Sequence, residues 1–171
     1  MTEISRVSVL GAGTMGHGIA QVCAAAGYGV MLYDVDQDAL VRGVDRIRGN
    51  LDKGVELGKV TKEEHHNVLG RILTSTDLAS AASLADLVIE AAPESEELKK
   101  EIFTVVDGAA PAHAILASNT SSLSIERIAR CVSDPGRFID ESDDAILKGQ
   151  RVPLRVGHAD SKRDAAVETD V

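Results

Sequence analysis

A glycine-rich segment near the N-terminus has the residue types and spacing that bind a phosphate group. The segment is Gly11-Ala12-Gly13-Thr14-Met15-Gly16, between the apolar run 7–10 and a helical pattern. The first glycine permits a tight turn, the second lets the backbone approach a pyrophosphate, and the third lets helix and strand pack closely. The N–H groups and the positive dipole end of the following helix then face the phosphates. Because the motif lies between a strand and a helix, it predicts a dinucleotide-binding site.

An acidic residue follows the second predicted strand, at the position where dinucleotide-binding folds bind a ribose. Asp34 comes directly after the run 30–33, and a carboxylate there accepts hydrogen bonds from the hydroxyl groups of the adenosine ribose. A ribose 2′-phosphate would meet a negative charge, so Asp34 favours NAD over NADP. Two alternatives stay open, because Asp34 could cap the following helix and the glycines could form an ordinary turn.

Apolar, β-branched runs alternate with helical patterns along the first 139 residues. The predicted strands are 7–10, 30–33, 72–74, 87–90 and 114–117, and the predicted helices are 19–26, 39–51, 96–106 and 124–132. Thr61 and Glu64 have the spacing of a capping box that starts one more short helix. This alternation is typical of a parallel sheet with crossover helices. We predict an α/β fold, a Rossmann doubly wound parallel sheet, with a sixth strand that starts at 137–139 and leaves the C-terminal edge incomplete.

The composition argues against several classes of partner. The chain has 18 basic and 27 acidic residues, for a net charge of -9, so it lacks the basic surface that nucleic acid or an anionic membrane requires. No run of about 18 apolar residues is present. Cys23 and Cys131 lie far apart, without the spacing of a metal site or a disulfide framework. We therefore expect no metal, no nucleic-acid or membrane partner, and a cytoplasmic protein with reduced thiols.

Three segments of the chain have a more specific pattern than the glycine turn alone. They are Gly11–Ala20, Asp86–Glu94 and Ala117–Leu123. Together they resemble the NAD-binding domain of the 3-hydroxyacyl-CoA dehydrogenases, and the resemblance extends from about Arg6 to Ile139. It implies NAD as the cofactor, an acyl-CoA as the substrate and, in the full-length family, a homodimer.

The resemblance also implies roles for three residues outside the glycine turn. Glu94 and Lys99 would bind the nicotinamide half of NAD at the carboxyl end of the fourth strand, where ligands bind in such sheets. Ser121 would be a catalytic and cofactor-binding residue that donates a hydrogen bond to the reacting 3-oxygen of the acyl thioester. The alternatives are an exposed helix lysine for Lys99, a carboxylate that stabilises a helix N-terminus for Glu94, and a helix cap for Ser121.

The chain departs from the family pattern after Ile139. The resemblance implies a general-base histidine and a glutamate beyond that point, but the corresponding positions contain Ser142 and Leu154, which cannot act as a general base. Residues 140–171 are highly charged and have no sustained period, so we expect an NAD-binding domain of residues 1–139 followed by a divergent, disordered tail. We expect the family's C-terminal helical domain to be absent. A frameshift near codon 139 and a genuine interaction segment both stay open.

The resemblance predicts the NAD-binding part of an enzyme of fatty-acid metabolism that oxidises (S)-3-hydroxyacyl-CoA, with little or no turnover by this chain. Lys53 and Lys59, between the second and third strands, are candidates for contacts with the CoA phosphates. Two alternatives remain, a non-catalytic NAD-binding or regulatory module and a relative that acts on a small hydroxy acid or sugar acid. We also expect marginal stability that bound NAD increases.

Overall fold

The computed structural model describes residues 4–120 and 123–139, which form one parallel sheet with helices on both faces. The strands are β1 (Arg6–Leu10), β2 (Gly29–Tyr33), β3 (Ile72–Ser75), β4 (Leu87–Glu90), β5 (Ile115–Ser118) and β6 (Phe138–Ile139). The helices are α1 (Gly16–Ala25), α2 (Gln37–Glu56), α3 (Lys62–Gly70), α4 (Leu78–Ala82), α5 (Glu96–Ala109) and α6 (Ile125–Ala129). A single 3-10 turn, Pro135–Arg137, precedes β6.

The order of the strands is that of a doubly wound sheet. The order is β3-β2-β1-β4-β5-β6, and every neighbouring pair is parallel. The chain starts in the middle with β1, proceeds to one edge through β2 and β3, and returns to build the other half from β4 onward. The two halves diverge between β1 and β4, which is where such sheets bind ligands. The predicted Rossmann fold is confirmed.

Apolar side chains cover both faces of the sheet. Val9 and Leu32 pack with Ile47 of α2 on one face. On the other face, Leu10 belongs to a cluster that contains Phe103 of α5 and Phe138 of β6. The two phenyl rings lie 4.5 Å apart between centroids, edge to face, a geometry that adds to the burial of their area. The short strand β6 is therefore attached to the core by its side chain as well as by its backbone.

The structure differs from the predicted elements at several helix ends and in one helix, since α1 begins at Gly16 rather than at residue 19 and α2 extends to Glu56 rather than to residue 51. Helix α4 was not predicted, because five residues are too few to show a helical period; Asp77 begins it by accepting a hydrogen bond from the N–H of Ser80 at 2.5 Å. Helix α6 ends at Ala129 rather than at residue 132. The capping box is confirmed, since Thr61 and Glu64 each accept a hydrogen bond from the backbone N–H of the other.

A buried carboxylate joins the amino ends of β1 and β4. Asp86 Oδ2 accepts hydrogen bonds from the N–H groups of Ser5 and Arg6, both at 2.9 Å, and Oδ1 lies 3.0 Å from Nε2 of His113. The hydrogen bond to His113, followed by the bond from the Ser5 N–H, holds the pKa of Asp86 well below its usual value. These bonds favour the charged carboxylate, so folding is coupled to its ionisation.

We expect the Asp86→Asn substitution to lower the free energy of unfolding by about 2 kcal/mol at neutral pH, because the amide satisfies fewer of the donors around it. The folded-state pKa lies below the unfolded value of about 3.9, so the carboxylate stabilises the fold above that pH and loses this effect as the pH falls further. The difference in the free energy of unfolding between variant and wild type, measured by urea unfolding, should therefore be smaller near pH 3 than at pH 7. A constant difference would contradict the coupling, and Asp45→Asn, which affects an exposed ion pair, is the control.

Candidate functional site

The glycine turn between β1 and α1 contains two glycines that the fold itself requires. Gly11 has a φ of +112°, and a Cβ there would lie 2.6 Å from the carbonyl oxygen of Ala91. A Cβ on Gly16 would lie 1.7 Å from the carbonyl oxygen of Gly11. Neither position accepts a side chain without a change in the backbone. These two residues explain the tightness of the turn and its close packing against the loop after β4.

The middle glycine of the turn has a different environment. Apart from its neighbours in the chain, a Cβ on Gly13 would have no atom of the described residues within 4 Å, and its φ is not in the left-handed region. The fold therefore does not require glycine at this position. The space next to it is where a pyrophosphate approaches the backbone of a dinucleotide-binding turn, so the residue fits a requirement of the ligand.

The N-terminus of α1 also fits a phosphate ligand. The N-cap residue of α1 is Met15, whose side chain makes no capping hydrogen bond. The first turn of the helix contains no acidic residue. Each of the other five α-helices in the described part of the chain begins with a side chain that accepts a backbone N–H; the capping residues are Asp36, Thr61, Asp77, Ser95 and Ser124. The first N–H groups of α1 thus lack the side-chain acceptor that the other helices have, and an anion is the ligand they favour.

Asp34 links the glycine turn to the end of β2. Its Oδ2 accepts a hydrogen bond from the N–H of Ala12 at 2.9 Å, and its Oδ1 accepts one from the N–H of Asp36 at 3.1 Å. The residue that caps α2 is Asp36, which accepts from the N–H of Asp38. The alternative that Asp34 caps this helix is therefore wrong. Asp34 is half-buried at the edge of the turn, where its carboxylate is available to a ribose.

We expect Asp34→Ala to raise the Kd for NAD at least about tenfold, a loss of about 1.4 kcal/mol. The substitution removes both the predicted acceptor for the ribose hydroxyls and the bond from the Ala12 N–H. It also removes the charge that opposes a 2′-phosphate, so the preference for NAD over NADP should narrow. Titration calorimetry with both dinucleotides measures this, and Asp36→Ser, which preserves the cap of α2, is the matched control. An unchanged Kd for NAD would exclude Asp34 from the site.

A buried ion cluster lies at the carboxyl end of β4. Glu90 and Lys99 are both completely buried, and Lys99 Nζ lies 2.8 Å from each carboxylate oxygen of Glu90. Lys99 Nζ is also 3.3 Å from Oε2 of Glu94. The hydroxyl of Ser118 donates to Glu90, and the hydroxyl of Thr120 donates to Glu94. We call these five residues, Glu90, Glu94, Lys99, Ser118 and Thr120, the carboxyl-end cluster.

The structure brings Glu94 and Lys99 together, as the resemblance implies. The alternative of an exposed Lys99 is wrong, because its side chain has no exposed surface. Glu94 has 39% of its side-chain surface exposed, so it is the acidic member of the cluster that faces solvent. Ser121 lies outside the described residues, as do Ser142 and Leu154, and the role predicted for Ser121 stays a prediction.

Sequence reasoning missed three members of the carboxyl-end cluster, which are Glu90, Ser118 and Thr120. Glu90 and Ser118 are the last residues of β4 and β5 and are register partners across the sheet. Both are buried. An ionisable residue that ends an otherwise apolar strand was the available signal, because burying a carboxylate requires a cation or several donors nearby. The position of Lys99, one helical turn into α5, gave no indication that it was that cation.

The glycine turn and the carboxyl-end cluster lie side by side. The N–H of Ala91, the first residue after β4, donates to the carbonyl oxygen of Leu10 at 2.7 Å, and Gly11 packs directly against Ala91. One side of this junction offers backbone N–H donors, and the other offers carboxylate and ammonium groups. A dinucleotide that lies across the junction would meet donors at its phosphates and acceptors at its riboses.

Residues 4–120 and 123–139 contain neither a cluster of metal ligands nor a membrane-spanning helix. No three histidine, cysteine, aspartate or glutamate side chains in these ranges come together as metal ligands would. The same ranges contain no helix with the length and apolar character needed to cross a bilayer.

The chain is similar to known dehydrogenases over most of its length. The family model for the 3-hydroxyacyl-CoA dehydrogenase, NAD binding domain, matches residues 6–140. The chain is 43% identical over 137 residues to a 3-hydroxyadipyl-CoA dehydrogenase of Escherichia coli, covering 80% of this chain and 29% of that protein. It is 46% identical over 136 residues to a 3-hydroxybutyryl-CoA dehydrogenase of Bradyrhizobium diazoefficiens, covering 80% and 46%.

The structural comparison agrees with the sequence comparison. A 3-hydroxybutyryl-CoA dehydrogenase from Escherichia coli K12 superposes with a TM-score of 0.78 at 42% identity, covering 81% of this chain and 29% of that one. The chain thus spans less than half the length of each of these relatives. Since the family model covers nearly all described residues and the glycine turn has the geometry of a dinucleotide site, the chain belongs to the family of 3-hydroxyacyl-CoA dehydrogenase NAD-binding domains, whose cofactor is NAD.

Proposed function

We propose that the chain binds NAD for hydride transfer at C3 of a 3-hydroxyacyl-CoA, the step that gives a 3-oxoacyl-CoA in fatty-acid metabolism. The observation that carries the proposal is the junction of the glycine turn with the carboxyl-end cluster, between β1 and β4. The names of the relatives support the acyl-CoA class, since they are dehydrogenases of 3-hydroxyadipyl-CoA and 3-hydroxybutyryl-CoA.

The residues at the junction fit a dinucleotide along its whole length. The N–H groups at the start of α1 and the open space at Gly13 suit the pyrophosphate, and the carboxylate of Asp34 suits the adenosine ribose. Glu94 and Lys99 would bind the nicotinamide half. When bound, NAD supplies the nicotinamide ring that exchanges a hydride with the substrate carbon.

The substrate side of the reaction requires further groups. Ser121 would donate a hydrogen bond to the 3-oxygen of the acyl group, and it follows directly after Thr120, whose hydroxyl contacts Glu94. Lys53, in the last turn of α2, and Lys59, shortly after that helix, are both exposed and would meet the CoA phosphates. The hydroxyl proton needs a general base, and Ser142 and Leu154 occupy the positions where the family has its histidine and glutamate.

We expect NAD to raise the melting temperature of the full chain, because a ligand that binds only the folded state stabilises it by mass action. At about 100 times the Kd, the gain is about 2.7 kcal/mol, which corresponds to a rise of at least about 5 °C for a domain of this size. Differential scanning fluorimetry with millimolar NAD measures the shift, with NADP as the comparison. No shift with NAD would reject NAD binding by this chain.

The catalytic part of the proposal has its own test. Reduction of acetoacetyl-CoA with NADH, followed at 340 nm, should be very slow with this chain, since a serine and a leucine replace the two residues of the base. Robust turnover would show that another group donates the proton that the 3-oxygen takes up during reduction. Turnover of a free hydroxy acid or a sugar acid in preference to the acyl-CoA would favour the alternative substrate classes.

We also propose a cytoplasmic location. Cys23 and Cys131 are both unpaired, and reduced thiols persist in that compartment. Burial raises the pKa of both thiols, so at neutral pH they are less reactive than a typical exposed cysteine. Cys23 contacts the apolar cluster around α1 and α2, as expected for a small core residue.

A further inference from the structure

Glu90 is a buried carboxylate that the proposed function does not use. Its Oε1 accepts hydrogen bonds from the N–H of Ala92 at 2.6 Å and from Lys99 Nζ at 2.8 Å. Its Oε2 accepts from Lys99 Nζ and from the hydroxyl of Ser118. The side chain has no exposed surface, and protein donors occupy both of its oxygens. Glu90 therefore cannot contact a bound cofactor.

Stability alone is a weak reason for a charged pair at this position. Taking a carboxylate and an ammonium out of water costs free energy that their attraction barely offsets, and apolar residues of the same volume often stabilise a fold equally well. The surroundings are apolar enough for such residues, since Ile89 and Ala92 pack against the two core clusters. The arrangement of the donors around Glu90 points to a different role.

Glu90 determines where two neighbouring parts of the site lie. It contacts the ammonium of Lys99 with both oxygens, which fixes Nζ at 3.3 Å from Glu94 Oε2. It also accepts the N–H of Ala92, and so fixes the first turn of the loop that carries Glu94. Glu90 thus acts on Glu94 in two ways. It holds the backbone of the loop through Ala92, and it holds the ammonium next to the Glu94 carboxylate through Lys99.

We propose that Glu90 is a positioning residue for the nicotinamide half of the site, acting through Lys99 and the loop at Ala92 on Glu94. This inference rests on the proposed function, because it takes Glu94 and Lys99 as the groups next to the nicotinamide half. It assigns Ser118 a supporting role, since its hydroxyl orients the Glu90 carboxylate from the neighbouring strand.

The test separates the two halves of the cofactor. ADP contains the adenosine and the pyrophosphate but lacks the nicotinamide half, so it reports on the glycine turn and Asp34 alone. Titration calorimetry of the full chain with NAD and with ADP gives a ratio of two affinities. A loss of general stability changes both affinities or neither, whereas a loss of positioning at Glu94 changes only the affinity for NAD.

We expect Glu90→Gln to raise the Kd for NAD about tenfold and to leave the Kd for ADP within about twofold. The amide has nearly the same volume, but only one of its two polar atoms can accept a hydrogen bond from Lys99 or Ser118. The matched control is Asp107→Asn, which removes a carboxylate from another largely buried ion pair, with Arg137, at the other end of α5 from Lys99. Asp107→Asn should lower the melting temperature without changing the ratio of the NAD and ADP affinities.

A second variant keeps the test valid if Glu90→Gln does not fold. The substitution Ser118→Ala keeps both charges and removes only the hydroxyl that orients the Glu90 carboxylate. We expect it to fold, to bind ADP like the wild type and to lose part of the additional affinity for NAD. A wild-type ratio of NAD to ADP affinities in either folded variant would overturn the inference, and so would an equal loss of both affinities. A wild-type chain that binds neither ligand would overturn the proposed function together with the inference.

Discussion

Replacing Gly13 with alanine is expected to eliminate detectable NAD binding while leaving the free energy of unfolding within about 0.5 kcal/mol of the wild type. The new methyl group would meet no atom within 4 Å in the part of the chain that the structure describes, its chain neighbours aside, so the fold accepts it. It would instead occupy the space that the pyrophosphate needs next to the turn. The substitution at Gly13 should therefore eliminate NAD binding without changing stability, whereas a side chain at Gly11 or Gly16 would change the fold itself.

Substitutions at two other glycines are controls, one for the effect on NAD binding and one for the effect on stability. Gly18→Ala also places a methyl group in open space, but within helix α1, and we expect it to leave NAD binding unchanged. Gly16→Ala brings a methyl group onto the carbonyl oxygen of Gly11 and should destabilise the fold itself. Urea unfolding and calorimetry on the three variants measure both quantities. Wild-type affinity in Gly13→Ala would show that the phosphates do not approach this turn.

Replacing Lys99 with alanine is expected to lower the free energy of unfolding by about 3–5 kcal/mol, the usual cost of leaving a buried charge without its partner. Glu90 would then have no cation, and Glu94 would lose the ammonium that lies 3.3 Å away. A domain of this size has only about 5–15 kcal/mol of stability in total. We therefore expect this variant to be close to unfolding at 37 °C, and NAD to rescue it only partly.

An exposed ion pair provides the comparison for Lys99. Arg127 lies 3.3 Å from Glu96, and 68% of its side chain is exposed, so Arg127→Ala should change stability by no more than about 1 kcal/mol. Urea unfolding of both variants at pH 7 gives the two values. Equal effects would mean that the Lys99 ammonium gains nothing from its burial between two carboxylates.

The glycine turn and the carboxyl-end cluster have different physical roles. In the turn, Gly11 and Gly16 make the backbone path possible, and Gly13 leaves space for the ligand. In the cluster, charged groups without exposed surface orient an exposed carboxylate. Both lie at the carboxyl ends of β1 and β4, where crossover connections leave on opposite faces of the sheet and leave a crevice between them.

Local patterns in the sequence determined most of the fold. The apolar runs, the glycine turn and the capping box at Thr61 each depend on residues close together in the chain, and each is present in the structure. Helix α4 escaped prediction because five residues contain little more than one turn. The position of Asp34 after β2 was enough to place it near the glycine turn, since the geometry of the βαβ unit brings that strand end to the turn; its role at the ribose stays a prediction.

Tertiary structure alone decided which polar groups act together. Glu90, Lys99 and Ser118 belong to a strand, a helix and a neighbouring strand, and no spacing along the chain reveals that they share one buried cluster. The sequence also left open whether Asp34 caps α2, because aspartate is a common N-cap residue, and only the structure shows that Asp36 does so. Burial and hydrogen-bond geometry resolve such questions, since the cost of an unpaired buried charge depends on neighbours that only the folded chain brings together.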